Sequence, residues 1–198
     1  MSALRKFRRF SEAEYLLIEN ASPHKSEFYD GEMFAMAGAA PDHNSVNENL
    51  TLEIGGRLKG GRCRTYSRDQ RVRVSATGLY TYPDLLIVCG KREYDRTDPK
   101  SLVNPVVLFE VLSPSTAEYD RGTKFGHYQK LPSVQEIVFV SQDVPLVQVY
   151  ARQPNDTWSL TTFDDLAGDF ALRSVPIRVP MGDVYRDVEF QPDEQPSD

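Results

Sequence analysis

Three short and nearly continuous apolar runs occupy the middle of the chain, at residues 82–89, 106–112 and 135–141. Apolar runs of this length, without polar alternation, are typical of strands that are covered on both faces of a sheet. We therefore predict that these runs form the central strands of one buried sheet.

Helical patterns flank and separate these runs. Ser-x-x-Glu capping boxes at Ser11 and Ser115 predict the starts of two helices, at residues 11–19 and 115–131. Upstream of the first run, apolar side chains recur at every fourth position and predict a further helix of about four turns. These side chains are Val46, Leu50, Ile54 and Leu58. The residues just before them, 41–44, are interpreted as a turn.

The remaining segments have the pattern of strands joined by turns. Asp30-Gly31 within the alternating segment 27–37 predicts a hairpin, and residues 65–74 predict one further strand. Segments near the C-terminus predict a β meander, at residues 145–152, 158–163 and 170–172. Together the elements indicate an α/β fold with a central mixed sheet flanked by helices, an N-terminal hairpin and a C-terminal β meander.

Length and composition fit one globular domain. The chain has 198 residues, of which 40% are hydrophobic and 26% charged, and this length favours a single core over two. We predict one domain at residues 1–190 and a disordered acidic tail at 191–198. No apolar run approaches the roughly 20 residues that cross a bilayer, and no apolar segment follows the basic N-terminus, so neither a membrane partner nor a secretory signal is expected.

The two cysteines, Cys63 and Cys89, are too few for a disulfide framework or a four-ligand zinc site. Cys89 lies in an apolar run and is interpreted as an inert buried thiol. With the composition, this cysteine usage predicts a cytoplasmic protein.

The net charge of −6 argues against binding to polyanions, but the charge is unevenly distributed. Residues 57–73 contain seven basic side chains and one acid, Asp69. The basic residues are Arg57, Lys59, Arg62, Arg64, Arg68, Arg71 and Arg73. The stretch is interpreted either as a phosphate-binding surface or as a solvated face whose charges protect a strand edge.

Two carboxylates are the strongest candidates for chemistry. Asp84 opens the first apolar run, and Glu110 lies inside the second. A buried glutamate is rare unless it is paired or holds a metal, and two hard oxygen ligands on neighbouring strands suit Mg²⁺ or Mn²⁺. The alternatives are a turn role for Asp84 after proline, and a buried ion pair with an arginine for Glu110.

Three segments resemble a known family: Tyr-Pro-Asp at 82–84, Phe-Glu-Val-Leu-Ser-Pro-Ser-Thr at 109–116, and Asp-Arg-Gly-Thr-Lys-Phe-Gly-His-Tyr at 120–128. They are similar to the Uma-two restriction-endonuclease-like proteins, a branch of the PD-(D/E)XK nuclease superfamily, and the resemblance extends over most of residues 10–165. It implies a restriction-endonuclease-like core, a bound divalent metal and hydrolysis of phosphodiesters. The expected partner is nucleic acid, with DNA favoured over RNA, although the sequence does not determine which of the two is cut.

The superfamily pattern places a lysine two residues after the second acid, where this chain has Leu112. The resemblance implies that the lysine has moved to the following helix, as Lys124. It also implies that Asp84, Glu110 and the Val111 carbonyl hold the metal, while Lys124 orients the attacking water or neutralises developing charge. The alternative for Lys124 is an ordinary surface lysine.

Accessory residues and rival functions remain open. His43 and Glu48 are possible accessory residues near the site, and Glu27 and Glu32 on the hairpin are similar candidates, although a loop histidine and solvated carboxylates explain them equally well. A homodimer is expected for an enzyme that cuts both strands. One rival is an inactive nuclease fold that serves as a binding or regulatory module. Another is a structural protein whose buried carboxylates are simply ion-paired.

Overall fold

The computed structural model describes residues 8–36 and 38–190. In chain order, the elements of these residues are α1 (Glu12–Ala21), β1 (Ser26–Tyr29), β2 (Glu32–Ala35), α2 (Pro41–Leu58), β3 (Cys63–Ser67), β4 (Val72–Val74), β5 (Leu79–Thr81), β6 (Leu85–Cys89), β7 (Val107–Leu112), α3 (Ala117–Tyr119), a π-helical turn (Asp120–Lys124), α4 (Phe125–Tyr128), β8 (Glu136–Ser141), β9 (Val147–Arg152), β10 (Trp158–Phe163), β11 (Asp169–Leu172), β12 (Ile177–Pro180) and α5 (Met181–Val184). The predicted acidic tail at 191–198 lies outside the described residues.

A six-stranded mixed sheet forms the centre of the fold, with strand order β10-β9-β8-β7-β6-β3. β7 and β8 are parallel, and the other neighbouring strands are antiparallel. β6, β7 and β8 arise from the three apolar runs, and nearly all their residues are buried because both faces of the sheet are covered. The predicted α/β fold with a central mixed sheet is confirmed.

Helix α2 covers one face of this sheet. Its four predicted apolar residues all pack into the same hydrophobic cluster as Leu85 and Phe109, as the spacing of about 3.6 residues per turn requires. The interpretation of residues 41–44 as a turn is wrong, because they form the first turn of α2 with Pro41 at its start. Proline suits this position, since the amide it lacks would have no partner within the helix.

The N-terminal hairpin is confirmed. β1 and β2 pair across Asp30 and Gly31, whose φ angles of 47° and 82° match the left-handed turn that the sequence predicts. The hairpin belongs to a second sheet, with strand order β2-β1-β5-β4. Helix α1 begins with the predicted capping box between Ser11 and Glu14.

The predicted single strand at residues 65–74 is wrong. The chain turns after Ser67, where the Gln70 amide donates to the Ser67 carbonyl at 2.9 Å. This turn divides the segment into β3, at the edge of the central sheet, and β4, in the hairpin sheet. β5 completes that sheet and pairs with β1 at Phe28 and Tyr80.

The predicted helix at residues 115–131 is replaced by α3, the π-helical turn and α4. Ser115 makes no capping box, because its hydroxyl is hydrogen-bonded to that of Ser113 at 3.0 Å and Thr116 is the N-cap. A π turn holds one more residue than an α turn, and π turns often occur at functional sites. Both of its end residues, Asp120 and Lys124, are buried.

The C-terminal meander is only partly as predicted. β9 and β10 form a hairpin that extends the central sheet. The last predicted strand, β11, instead pairs with β12 in a separate two-stranded sheet, which precedes α5. Within residues 8–36 and 38–190, no helix is long and apolar enough to cross a membrane.

The interpretation of Cys89 as an inert free thiol is also wrong. Cys63 and Cys89 lie directly opposite each other in the antiparallel pair β3–β6, with their Cα atoms 3.9 Å apart, and they form a disulfide. The two cysteines are 26 residues apart in sequence, and they meet because the register of β3 and β6 places them opposite each other.

Candidate active site

Asp84 and Glu110 occupy adjacent positions on neighbouring strands. The last pair of the antiparallel register joins Leu85 of β6 to Phe109 of β7, so Asp84 lies just beyond it, beside Glu110. The Val111 amide donates to Asp84 Oδ2 at 2.8 Å. This hydrogen bond fixes the Asp84 carboxylate against β7 at the point where pairing between the two backbones ends.

The Val111 carbonyl has a favourable direction. The N–H and C=O groups of one strand residue point toward the same neighbouring strand. Because the Val111 amide points to Asp84, its carbonyl oxygen is directed to the same side. Pro83 precedes Asp84 and has no amide to donate to a carbonyl there.

Glu110 is buried, with 3% of its surface exposed. The Tyr128 hydroxyl donates to Glu110 Oε1, and Lys124 Nζ lies 3.3 Å from the same oxygen. Burial raises the pKa of Glu110 well above its ordinary value, nearby Asp120 and Asp84 raise it further, and Lys124 opposes this shift. The partners of Glu110 are therefore a lysine and a tyrosine, whereas the rival interpretation expected an arginine.

Lys124 is also buried, and is not the surface lysine of the alternative interpretation. Its Nζ lies 3.0 Å from Glu27 Oε1, 3.3 Å from Glu110 Oε1 and 3.3 Å from Asp120 Oδ1. Burial alone would lower the pKa of Lys124, but the nearby acidic groups, led by Glu110, raise it well above its ordinary value. The side chain thus remains an ammonium in the interior.

The cluster contains more carboxyl groups than cationic groups. Glu27, Glu110 and Asp120 contact one ammonium group, and Asp84 is close enough to raise the pKa values of both Glu110 and Asp120. Burial is the largest cause of the raised pKa of Asp120. A divalent cation beside Asp84 and Glu110 would offset this excess.

The donor atoms fit a hard divalent cation. Glu110 accepts its hydrogen bonds through Oε1, and Asp84 makes its contacts through Oδ2. In the described part of the chain, no hydrogen-bond donor lies on Glu110 Oε2 or Asp84 Oδ1. Residues 8–36 and 38–190 contain no group of three or more His, Cys, Asp or Glu side chains arranged to hold a metal. Two carboxylates, one carbonyl and water match Mg²⁺ or Mn²⁺, which keep several waters and bind phosphate oxygens.

Of the accessory candidates, the structure brings His43 to Asp84 but leaves Glu48 in solvent. His43 is in the first turn of α2, and its Nε2 lies 3.3 Å from Asp84 Oδ2. Its Nδ1 is buried without a hydrogen-bond partner among the described residues. Glu48 lies on the exposed side of the same helix, and Glu32 is exposed on the hairpin.

The basic side chains of residues 57–73 do not all lie on one exposed surface. Arg71 is buried and paired with Asp98 at 2.7 Å, and Arg73 contacts both Glu12 and Asp95. Arg71 lies in the interior and Arg73 is partly buried, because the chain enters the hairpin sheet at β4. Arg57 is also paired, with Glu53 on the same helix.

Four arginines of this stretch are exposed, and three of them lie in or beside β3: Arg62, Arg64 and Arg68. Arg62 precedes β3, Arg64 lies within it and Arg68 follows it. β3 is the edge strand of the central sheet and is antiparallel to β6, so the C-terminal end of β3 lies beside Asp84. Arg68 is at that end and donates to Asn44 Oδ1 of α2 at 3.0 Å. Within the described residues, none of the three forms an ion pair.

Sequence reasoning missed Asp120 and Tyr128 and left Glu27 undecided. A usable signal was present, because Asp120, Lys124 and Tyr128 are spaced by four residues, which places side chains on one helical face. All three side chains are buried, and both Lys124 and Tyr128 contact Glu110. Nothing in the local sequence of the hairpin indicates that Glu27 would reach the same cluster.

Known proteins resemble this chain in sequence and in fold. A solved structure from Anabaena variabilis ATCC 29413, described as "a putative nuclease belonging to DUF820", superposes with a TM-score of 0.71 at 18% identity, covering 87% of this chain and 96% of that chain. This likeness confirms the restriction-endonuclease-like fold.

Two relatives come from Synechocystis sp. (strain ATCC 27184 / PCC 6803 / Kazusa). "Uncharacterized protein slr1290" is 31% identical over 185 residues, covering 93% of this chain and 95% of the relative. "Uncharacterized protein sll1609" is 33% identical over 153 residues, covering 75% of this chain and 84% of the relative. The family model described as "Uma2: Putative restriction endonuclease" matches residues 12–179. The chain therefore belongs to the Uma2 family of restriction-endonuclease-like proteins.

Proposed function

We propose that this protein is a divalent-metal-dependent endonuclease that hydrolyses phosphodiester bonds, with DNA as its substrate. The observation that carries the proposal is the buried Glu110–Lys124 pair beside Asp84, in which one oxygen of each carboxylate has no donor among the described residues. A purely structural Glu–Lys ion pair needs neither a second carboxylate, such as Asp84, nor carboxylate oxygens without hydrogen-bond donors.

In the proposed mechanism, Asp84, Glu110 and the Val111 carbonyl hold Mg²⁺ or Mn²⁺. The bound cation would supply a water of lowered pKa and stabilise charge on the scissile phosphate. Lys124 remains protonated and either orients the attacking water or neutralises the developing negative charge. His43 holds Asp84 from the side of α2, and the Val111 amide holds it from β7. No covalent intermediate is required.

The proposed nucleic-acid surface is the exposed side of β3. Lys59 is exposed and forms no ion pair in the described part of the chain, but it lies at the end of α2. Arg62, Arg64 and Arg68 share both properties and lie in or beside β3. They lead along the sheet edge toward Asp84. The net charge of −6 should keep bulk affinity for DNA low and strongly dependent on salt.

The test is cleavage of plasmid DNA by purified protein with Mg²⁺ or Mn²⁺ at low salt, with EDTA as the control. We expect slow cleavage that EDTA stops. We also propose a homodimer, which light scattering would detect, since two-fold symmetry suits a cut in both strands. Absence of cleavage of DNA and RNA with either metal, at high enzyme concentration, would contradict the proposed activity.

A second candidate is a nuclease fold that binds nucleic acid without cutting it. The absence of a three-ligand group in the described residues favours it. This candidate predicts salt-dependent DNA binding through β3 that neither EDTA nor loss of Lys124 changes. Metal-dependent cleavage that stops without Lys124 would exclude it.

A further inference from the structure

Glu27 belongs to a different sheet from Glu110, yet it makes the shortest contact of Lys124. It lies on β1, and 6% of its surface is exposed. Its Oε1 is 3.0 Å from Lys124 Nζ, whereas Glu110 and Asp120 oxygens are each 3.3 Å away. The N-terminal hairpin therefore reaches the interior of the candidate active site.

Other residues hold the Glu27 carboxylate in place. The Thr81 hydroxyl of β5 donates to Oε1, and the Tyr119 hydroxyl of α3 donates to Oε2 at 3.4 Å. Thr81 is fully buried. Because these donors come from two separate elements, the carboxylate has little freedom to follow Lys124 if that side chain moves.

We propose that Glu27 is the positioning residue for Lys124, an inference that rests on the proposed nuclease function. A cation bound to Glu110 would compete with Lys124 for its negative charge and weaken their attraction. Asp120 belongs to the same π-helical turn as Lys124, so it would follow any displacement of that turn. Glu27 is an anchor outside both the metal-binding strands and the lysine's own helix, so it keeps the ammonium in place when Glu110 holds the metal.

The same contact gives the hairpin sheet a role in the active site. β1 carries Glu27 and pairs with β5, which carries Thr81. This sheet thus holds the Lys124 ammonium through an element other than the helix that carries Lys124. Glu27 acts through Lys124 and is not itself a metal ligand in this proposal.

The experiment is a double-mutant cycle of Glu27→Gln and Lys124→Ala in the full-length protein. Glutamine keeps an acceptor for Thr81 but removes the charge. In Mn²⁺-dependent cleavage we expect Glu27→Gln to lower kcat about 10- to 100-fold, the usual effect of losing an outer supporting group. KM and the Mn²⁺ affinity measured by titration calorimetry should stay within about twofold, and Glu27→Asp should restore part of kcat. An unchanged kcat in Glu27→Gln would overturn the proposal.

The control is Glu32→Gln, on the same hairpin but exposed, which should leave kcat unchanged. If Glu27 acts through Lys124, Glu27→Gln should have no further effect on residual cleavage in the Lys124→Ala background. Equal fold-losses in both backgrounds would mean that the two residues act independently, and would also overturn the proposal.

Thermal unfolding of the same four proteins without metal separates this inference from the proposed function. Glu27→Gln should lower Tm in the wild-type background, because it removes an ion-pair partner. It should raise Tm in the Lys124→Ala background, where Glu27 is a buried charge without its ammonium. Lys124→Met, which retains the stem, replaces the alanine variant if that does not fold.

A Tm change of the same sign in both backgrounds would overturn the positioning of Lys124 by Glu27. Absence of cleavage by the wild type would reject only the nuclease function. In that case, reversal of the Tm effect together with a displaced Lys124 in a crystal structure of Glu27→Gln would support the contact, and an unmoved Lys124 would overturn it.

Discussion

Among the described residues, the ionic clusters around Arg71 and Lys124 are similarly buried but differ in charge balance. Arg71 is 3% exposed and pairs with one carboxylate, Asp98, while neutral groups of Ser101, Tyr82 and Asn20 accept its other hydrogen bonds. Lys124 is 7% exposed, and three carboxylates surround it.

This difference separates a structural ion pair from a candidate functional one. A buried pair is tolerated when each charge has its counter-charge and its remaining hydrogen bonds are made. The Arg71 cluster meets this condition with its own residues. The Lys124 cluster does not, and its excess of carboxylates is what a divalent cation can offset.

The largest expected effect is on stability, and it tests whether the two clusters differ. Asp98→Ala leaves Arg71 charged and unpaired in the interior, and should lower the free energy of unfolding by about 3–5 kcal/mol. Glu110→Gln in EDTA leaves Lys124 with two carboxylates, and should cost less than about 1 kcal/mol. Urea denaturation measures both. Equal losses in the two variants would show that Glu110 is as structural as Asp98.

The next effect is on activity. Lys124→Ala should lower kcat about 10²- to 10³-fold, as for loss of one group that stabilises transition-state charge. The affinity for Mn²⁺ should remain, because lysine is not a metal ligand. Single-turnover cleavage and calorimetry measure the two quantities. Retained cleavage would mean that the Lys124 ammonium is not catalytic and that Lys124 is a structural residue.

A smaller effect is the pH dependence of stability caused by Asp120. Burial raises its pKa above 3.8, so the folded state binds this proton more tightly than the unfolded state. The resulting stabilisation is complete below the unfolded pKa and is lost as pH rises through the folded pKa. The unfolding free energy of the wild type minus that of Asp120→Asn should therefore decrease as pH rises from about 4. Urea denaturation of both proteins at several pH values, in EDTA, measures this difference in unfolding free energy. A difference that does not change with pH would contradict the raised pKa of Asp120.

The smallest effect concerns exposed charges, which lie outside both clusters. Arg62→Glu with Arg64→Glu should weaken DNA binding and reduce the salt slope by about one per lost phosphate contact, without changing Tm. The control is Lys130→Glu with Arg173→Glu, which gives the same change in net charge on other exposed positions. If both double variants weaken binding equally, net charge alone explains the effect and the DNA site is not on β3.

Local patterns predicted the elements of the core. The apolar runs became β6, β7 and β8, and the four-residue spacing from Val46 to Leu58 became the buried side of α2. Periodicity is a local property that burial on one or both faces imposes directly. Asp84 and Glu110 were identified in the same way, as acids at or inside apolar strands.

The errors came where neighbours along the chain belong to different parts of the structure. The turn after Ser67 contains neither glycine nor proline, and its weaker turn formers, Ser67 and Asp69, did not reveal the crossing from β3 to β4. Arg71 and Arg73 were consequently assigned to an exposed surface, although Arg71 is buried, Arg73 is partly buried, and both are paired with acids. Likewise, the Ser115 capping box was a valid local signal, but the Ser113 hydroxyl competed for the same side chain.

By itself, the sequence determined the buried strands, the amphipathic helix and the two acids that they carry, since these depend on burial and on contacts within a few residues. Tertiary structure alone decided which distant groups meet. It brought Glu27 of the hairpin sheet, Glu110 of the central sheet and Lys124 of the π turn within hydrogen-bonding distance, and it paired Cys63 with Cys89. The physical reason is that strand register and sheet packing depend on the whole chain, because each pairing is stable only when the remaining elements bury the same surfaces.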